Sequence, residues 1–385
     1  MGSAGKLRRR YTGRGGWSMC GWVDAPRCRV GEPGYAGGML PWLTGSRAPL
    51  YLAPMAGVTD FVFRRLCKEL GADVMVTEFV SSEGIIRRDD RTRKYTEFDD
   101  AQRPLGVQLF GSNPEAMAEA ARKVIDWKQP DFIDINFGCP VNKVVAKNGG
   151  SAMLRDCPAL AAVASAVARA VPVPVTAKIR IGWDEQSINA LTVVKILEDV
   201  GMAAVTVHGR TRAQGYGGLA DWEVIGACAG AVRIPVIGNG DLASGRDIEG
   251  RLRSTAVRGV MIGRAAMASP WIFRDARRWL EDGVAPVPVP AEDRWALILR
   301  HCRMALEHGR YGPEKFTLQA MRSRLMHYSK GLPAGRQLRQ RFAVVQSLME
   351  LEDLAEEYLS HPRLAQSVAE TDADGGVVVE EVPLS

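Results

Sequence analysis

The stretch PVIGNGDLASGRDIEGRLRSTAVRGVMIGR, residues 235–264, decides the fold. A short apolar run, Pro235–Gly238, is followed by a helix-like stretch, Ser244–Arg253, and a second apolar run, Val257–Ile262. Two such strands joined by one helix form a parallel pair, because parallel neighbours need a crossover connection. The same alternation runs back towards the N-terminus. Apolar runs recur at Leu50–Ala53, Asp73–Thr77, Leu105–Leu109, Phe132–Asn136, Val173–Lys178 and Ala204–His208. Helix-like stretches lie between them at Asp60–Leu70, Pro114–Asp126, Pro158–Ala170, Ser187–Val200 and Asp221–Ala229. Near-continuous apolar strands imply burial on both faces. Eight of them predict an α/β protein with a closed (β/α)₈ TIM barrel. An open doubly wound sheet would carry a glycine fingerprint after its first strand, and Ala53-Pro-Met-Ala-Gly57 is not one.

Outside the barrel the pattern changes. Residues 1–48 are rich in Gly, Arg and Trp and keep no sustained period, so an irregular or disordered leader is expected; alternatively, translation starts downstream, for instance at Met39. After a Pro/Val linker (Val284–Pro290) the spacing becomes helical to about Leu359, with Trp295, Ile298, Leu299, Cys302 and Leu306 on one face. The expected organisation is a leader (1–48), a catalytic barrel (49–285), a small C-terminal helical RNA-binding domain (291–360) and an acidic tail (361–385). The chain is 46% hydrophobic and 24% charged, in the range of a globular protein. Its net charge of +6 is unevenly spread: cations dominate residues 1–48 and 291–341, acids the last 36. Basic flanks suit a polyanion such as RNA, and solvated helix faces give the same count. The seven cysteines form no CxxC pair, which disfavours zinc, Fe–S clusters and a disulfide framework and makes a reducing cytoplasm the expectation. No h-region and no long uncharged apolar stretch appear, so neither a signal peptide nor a membrane partner is expected.

Several strands end in polar or reactive residues: Gln108, Asn136 with Cys139, Lys178, His208, Asn239 with Asp241, and Gly263 with Arg264. Barrel chemistry sits at those ends, where the βα loops converge. Glycines in Ile237-Gly-Asn-Gly-Asp241 and Met261-Ile-Gly-Arg264 let backbone N–H groups approach a phosphate, and Arg264 can add a bidentate fork. A flavin fits the remaining set better than a sugar phosphate. Gln108 can meet a pyrimidine edge, Lys178 can stabilise an anionic ring, and Pro54-Met-Ala56 offers a flat apolar contact. Lys178 also reads as a rim charge or as a Schiff-base lysine.

Six segments in this order, Ala53-Pro-Met-Ala-Gly-Val-Thr-Asp60, Asp134-Ile-Asn-Phe-Gly-Cys-Pro140, Lys178-Ile-Arg180, Val207-His-Gly-Arg-Thr211, Gly238-Asn-Gly-Asp241 and Ile262-Gly-Arg264, resemble the tRNA-dihydrouridine synthases, most closely their bacterial B-type branch. The likeness runs from about Leu50 to Leu280 and leaves the leader and the acidic tail unexplained. It implies FMN as prosthetic group, NADPH as electron donor and tRNA as partner, with no metal and a monomeric enzyme. It places FMN contacts on Pro54, Met55, Ala56, Gln108, Lys178, His208, Asn239, Gly240, Asp241, Gly263 and Arg264. It makes Cys139 the catalytic acid, puts Asn136 beside it facing the uracil, and adds Arg180 and Arg210 to the substrate-binding set.

Cys139 also has a physical case of its own. Reducing a uracil C5–C6 bond needs hydride at C6 and a proton at C5. The enolate formed by hydride addition is basic enough to take that proton from a thiol. The thiol must then rest protonated, away from a thiolate-stabilising cation. Cys67, Cys157, Cys228 and Cys302 read as small buried hydrophobes. His208 is either a satisfied structural histidine or a hydrogen bond to flavin or phosphate. His301, His308, His327 and His361 lack metal-ligand spacing and receive no role. A stacked uridine must be extruded to reach the pocket, and backbone contacts offset that work. Arg322, Arg324, Lys330, Arg336, Arg339 and Arg341 are the candidates for those contacts. Two alternatives stay open: a reductase of a free pyrimidine, such as a dihydroorotate dehydrogenase, and an RNA-binding protein with a vestigial barrel.

Overall fold

The computed structural model describes residues 40–87 and 90–361. Nine strand segments are β1 (Leu50–Leu52), β2 (Met75–Val76), β3 (Val80–Ser81), β4 (Leu105–Phe110), β5 (Phe132–Phe137), β6 (Val175–Arg180), β7 (Ala204–His208), β8 (Val236–Asn239) and β9 (Gly259–Ile262). All pairings between them are parallel, in the order β1-β9-β8-β7-β6-β5-β4-β2. Tyr51 bridges Val74 just before β2, and the ring closes. The fold is the (β/α)₈ barrel that the strand rhythm predicted. The stretch expected as one second strand, Asp73–Thr77, is shorter and resumes after an interruption. β2 and β3 both pair with β4, but Met75 and Val80 oppose Leu105 and Leu109, so one extra residue bulges out at Thr77–Phe79.

Crossover helices are fixed at their starts by side-chain caps. Asp60, Asn113, Asp156, Asp221 and Ser244 each accept a backbone N–H from the first turn. Along each strand, alternate residues face outward to the helices and inward to the barrel axis. The inner floor is apolar, built from Tyr51, Val74, Val76, Phe132, Ala204, Ile237 and Met261. Pro41–Leu43 form a single 3₁₀ turn; its Leu43 and the preceding Leu40 pack on that floor, while Trp42 Nε1 donates to the Tyr51 hydroxyl at 2.7 Å. The barrel's packed floor therefore begins at Leu40, ahead of the expected start at Pro49, because an apolar ring of this size would otherwise face water. The rest of the expected leader, and the acidic tail beyond His361, lie outside the described residues.

After the helix Ile272–Asp282 come four more, Ala291–His308, Glu314–Tyr328, Gly335–Val344 and Leu348–Ser360. Trp295 centres their packing, with its ring 5.7 Å from Phe342 and 5.6 Å from Tyr358. This group docks on the barrel beside the loop after β1. Arg324 pairs with Asp60 at 2.6 Å, both fully enclosed, and Arg310 pairs with Glu78 in the bulge at 2.7 Å. Among the described residues no helix is long and apolar enough to cross a membrane. No group of three or more His, Cys, Asp or Glu there could hold a metal.

Candidate active site

Strand register gathers the polar side chains at the C-terminal end of the barrel. Gln108 opposes Asp134, Asn136 opposes Lys178, Arg180 opposes His208, and His208 opposes Asn239. With a period of two, one face of five successive strands, β4 to β8, becomes a single polar lining above the apolar floor.

Cys139 lies on the turn after β5, only 7% exposed. Its backbone is held on both sides. The Asn136 Oδ1 accepts from Gly138 N (3.0 Å) and Cys139 N (2.8 Å), while the Cys139 carbonyl accepts from the Ser151 N and Oγ. Burial pushes the thiol above its ordinary value, against smaller opposing effects of the Val141 backbone, Arg180 and Lys178. Cys139 is therefore protonated at neutral pH, the state that a proton donor needs.

Lys178 reaches across the mouth and donates to the Asn239 Oδ1 at 3.0 Å, and Asn239 in turn donates to the Met261 carbonyl. Burial, and then the nearby Arg180, push the amine down to about 7. An ammonium has three donors, so a half-buried one with a single protein acceptor is suited to an anionic ligand. His208 is strongly depressed by burial first, then by Lys178, Arg180, Arg210 and Arg264, and stays neutral. Neutral imidazole can hydrogen-bond here but supplies no charge.

At the ends of β8 and β9, the Asp241 carboxylate is shared by two arginines. Arg210 donates to both of its oxygens at 2.8 Å, and Arg264 to one at 3.0 Å. Arg264 is about half exposed, its guanidinium against the Tyr216 ring. Gly240 has φ +128°, and a Cβ there would meet the Ala220 Cβ at 2.5 Å. At Gly263 the nearest atoms to an added Cβ are Ala53 Cβ and Met55 Sδ, at 3.6 and 3.7 Å, so protein packing alone does not demand a glycine. The space over Gly263 is a cradle that a side chain would fill, next to the exposed Arg264 fork. Pro54 and Met55 are half-buried on the adjoining loop and Ala56 is exposed. This donor set, a half-buried amine, a half-exposed guanidinium, a neutral histidine and an open glycine cradle, fits a phosphate-bearing flavin.

Several residues stand elsewhere than the sequence suggested. Arg180 and Arg210 are engaged with the mouth loops through part of their guanidinium groups, and Arg210 Nη1 keeps no protein partner. Arg180 donates to the Gly138, Thr211 and Gly215 carbonyls, and Arg210 to Gly217, Gly218 and Asp241. Both are almost wholly buried and brace the mouth loops. Arg324, expected on RNA, is buried against Asp60; Arg322 donates to the Val345 carbonyl, and Arg341 pairs with Glu357. Helix periodicity did not show which cations point inward. Gln108 is fully buried with its amide engaged at both ends, so one Nε2 hydrogen remains for a ligand.

Sequence reasoning missed Asp134, whose signal was a charge inside the wholly buried strand Phe132–Phe137. It also missed the rim of the mouth. Trp183 has the guanidinium groups of Arg155 (4.1 Å) and Arg212 (4.5 Å) over its ring, and Arg212 donates to Asn142 on the Cys139 loop. Lys143 and Lys147 are exposed on that same loop, and Tyr216 is exposed opposite.

Comparison with known proteins is consistent with this geometry. The sequence profile of the dihydrouridine synthases matches residues 51–362. A tRNA-dihydrouridine synthase B from Pseudomonas aeruginosa is 42% identical over 293 residues, covering 76% of this chain and 87% of that protein. Its counterpart from Pseudomonas putida is 43% identical over 298 residues, covering 77% and 87%. A probable tRNA-dihydrouridine synthase from Aquifex aeolicus is 35% identical over 314 residues, covering 81% and 96%.

Proposed function

The chain belongs to the dihydrouridine synthase family, and on that premise we propose that it reduces uridines in tRNA to 5,6-dihydrouridine, with FMN at the barrel mouth and NADPH as reductant. The observation that carries this is the Cys139 thiol, kept protonated by burial at the same mouth as the desolvated Lys178 amine.

When bound, FMN supplies the hydride that adds to C6 of the uracil. The residues of the chain do the rest. Arg264 and the backbone around Gly240, Asp241 and Gly263 hold the phosphate, and Lys178 stabilises negative charge on the ring. Pro54, Met55 and Ala56 offer it a flat contact; Gln108, His208 and Asn239 complete the lining. Cys139 delivers the proton to C5: the S–H bond breaks, the C5–H bond forms, and the thiolate left behind is reprotonated from solvent. A thiol that burial raises gives up its proton to the enolate and not to water at rest. Asn136 holds the Cys139 backbone and keeps one Nδ2 hydrogen for the uracil.

The uridine must leave its stack to reach the thiol. The exposed Lys143, Lys147 and Arg155 and the half-buried Arg212 around the mouth suit the phosphates flanking it. Lys330, exposed after the helix Glu314–Tyr328, suits a more distant part of the same RNA. A tRNA substrate makes the cytoplasm the compartment.

The test is two half-reactions. Flavin-loaded protein reduced anaerobically by NADPH should be reoxidised by tRNA lacking dihydrouridine and not by orotate. Reoxidation by orotate, or by neither, contradicts the proposal.

A further inference from the structure

Beneath the thiol a chain of buried hydrogen bonds runs down into the barrel. Cys139 N and Gly138 N donate to the Asn136 Oδ1 at 2.8 and 3.0 Å. Asn136 Nδ2 donates to the Gln108 Oε1 at 2.8 Å, and Gln108 Nε2 to the Asp134 Oδ2 at 2.6 Å. The other Asp134 oxygen accepts from the Thr176 hydroxyl at 2.5 Å. Asp134, Asn136, Gln108 and Thr176 are all at least nine-tenths buried, so water is not at hand to replace a lost partner.

The order of donors and acceptors in this chain is not free. Backbone N–H groups can only donate, and they demand the carbonyl end of the Asn136 amide. That leaves Nδ2 facing Gln108, which must answer with Oε1 and turn Nε2 downward. The group below has to accept. A carboxylate does so with either oxygen, whereas an amide or a hydroxyl can present the wrong end. Asp134 is thus the terminus at which both amides are forced into one orientation, and the opposite terminus is the backbone of Cys139. A charge in the middle of an apolar strand is costly to bury, and nothing in the barrel wall itself requires it.

We propose that Asp134 is a positioning residue for the proton donor: through Gln108 and Asn136 it fixes the turn that aims the Cys139 thiol. It touches neither substrate nor flavin. The consequence for turnover rests on the uridine reduction proposed above; the consequence for the thiol does not, and the two are measured separately.

The variants are Asp134→Asn, which can still accept from Gln108 and donate to Thr176, and Asp134→Ala, which leaves both without a partner. Asp134→Ser, with one small hydroxyl, takes the place of Asp134→Ala if that variant does not fold. The first measurement is the iodoacetamide alkylation rate of Cys139 against pH, followed by peptide mass spectrometry on the flavin-loaded protein. Asp134→Ala should change the Cys139 profile by about tenfold in rate or by a clear shift of its midpoint, with Cys67 and Cys228 unchanged; Asp134→Asn should stay within about twofold. The second is reoxidation of the reduced protein by tRNA. There kcat should fall about tenfold or more in Asp134→Ala, with KM and NADPH-driven reduction nearly unchanged, and Asp134→Asn should restore it. An unaltered Cys139 profile in folded Asp134→Ala overturns the proposal. So does an Asp134→Asn variant as impaired as Asp134→Ala, because charge and not orientation would then be the cause. A wild-type protein that tRNA does not reoxidise contradicts the uridine reduction alone and leaves the alkylation result to decide on Asp134.

Discussion

Lys178 and Cys139 face the same mouth and are moved in opposite senses by the same cause. Burial disfavours the charged form of each, so the thiol stays protonated and the amine sits near neutrality, at about 7. An anion bound beside Lys178 restores its charge, so flavin binding should take up a proton above pH 7. The Kd for FMN should rise with pH there, by up to about tenfold per unit, and Lys178→Met should flatten the slope. Titration calorimetry of the ligand-free protein in two buffers of different ionisation heat measures this; no proton uptake and a flat profile would contradict it. The unfolded chain holds the Lys178 proton that the folded chain lacks between about 7 and 10.4, so stability without flavin should rise over that window. The chemistry-bearing residues were legible at this scale because they stand at strand ends, where apolar runs stop. Their partners were not. The sequence showed Arg180 and Arg210 as cations in motifs, but that each also donates to three residues of the mouth depends on loops that fold back over them.

At the scale of elements, strand count and order were readable because parallel strands buried on both faces leave uninterrupted apolar runs. The break in the second strand was not, since Thr77-Glu78-Phe79 carry no Gly or Pro to mark it and only the register against β4 shows the extra residue. The two glycine segments separate a structural glycine from a ligand-facing one. Gly240→Ala forces a Cβ against Ala220 in a conformation that side chains avoid, and should destabilise the fold by about 1–3 kcal/mol. Gly263→Ala meets only ordinary contacts and should cost less stability than Gly240→Ala while losing flavin. Urea denaturation with the flavin-to-protein absorbance ratio distinguishes them. A Gly263→Ala protein fully loaded with flavin would place the phosphate elsewhere.

For the whole molecule, the helices of residues 291–360 bear on the site through the loop after β1. Burial alone would raise the Asp60 carboxyl, but Arg324, His301, the Phe63 N–H and Arg310 together outweigh it and hold the group below the usual carboxylate range. The stability from this pair is present above pH 4 and is lost as pH falls through that lowered value. Arg324→Met leaves a buried charge unpaired and should destabilise by about 3–5 kcal/mol in urea, with Asp60→Asn added in the same chain recovering part of the loss. A change under 1 kcal/mol would mean that the helical region is not fastened there. The balance of cations over acids in residues 291–341 pointed to RNA, but several of those cations are fastened to the protein itself. Other cations, outside that stretch, stand at the barrel mouth, and they assemble only when the loops after β5, β6 and β7 meet.

The central claim is that the Cys139 thiol completes the reduction, and a single-turnover experiment meets it directly. Cys139→Ala, loaded with flavin and reduced anaerobically, is mixed with tRNA lacking dihydrouridine, and flavin reoxidation is followed by absorbance. Flavin content and tRNA affinity should match wild type while the rate falls about 100-fold or more. A rate equal to that of wild type would show that the proton comes from another group.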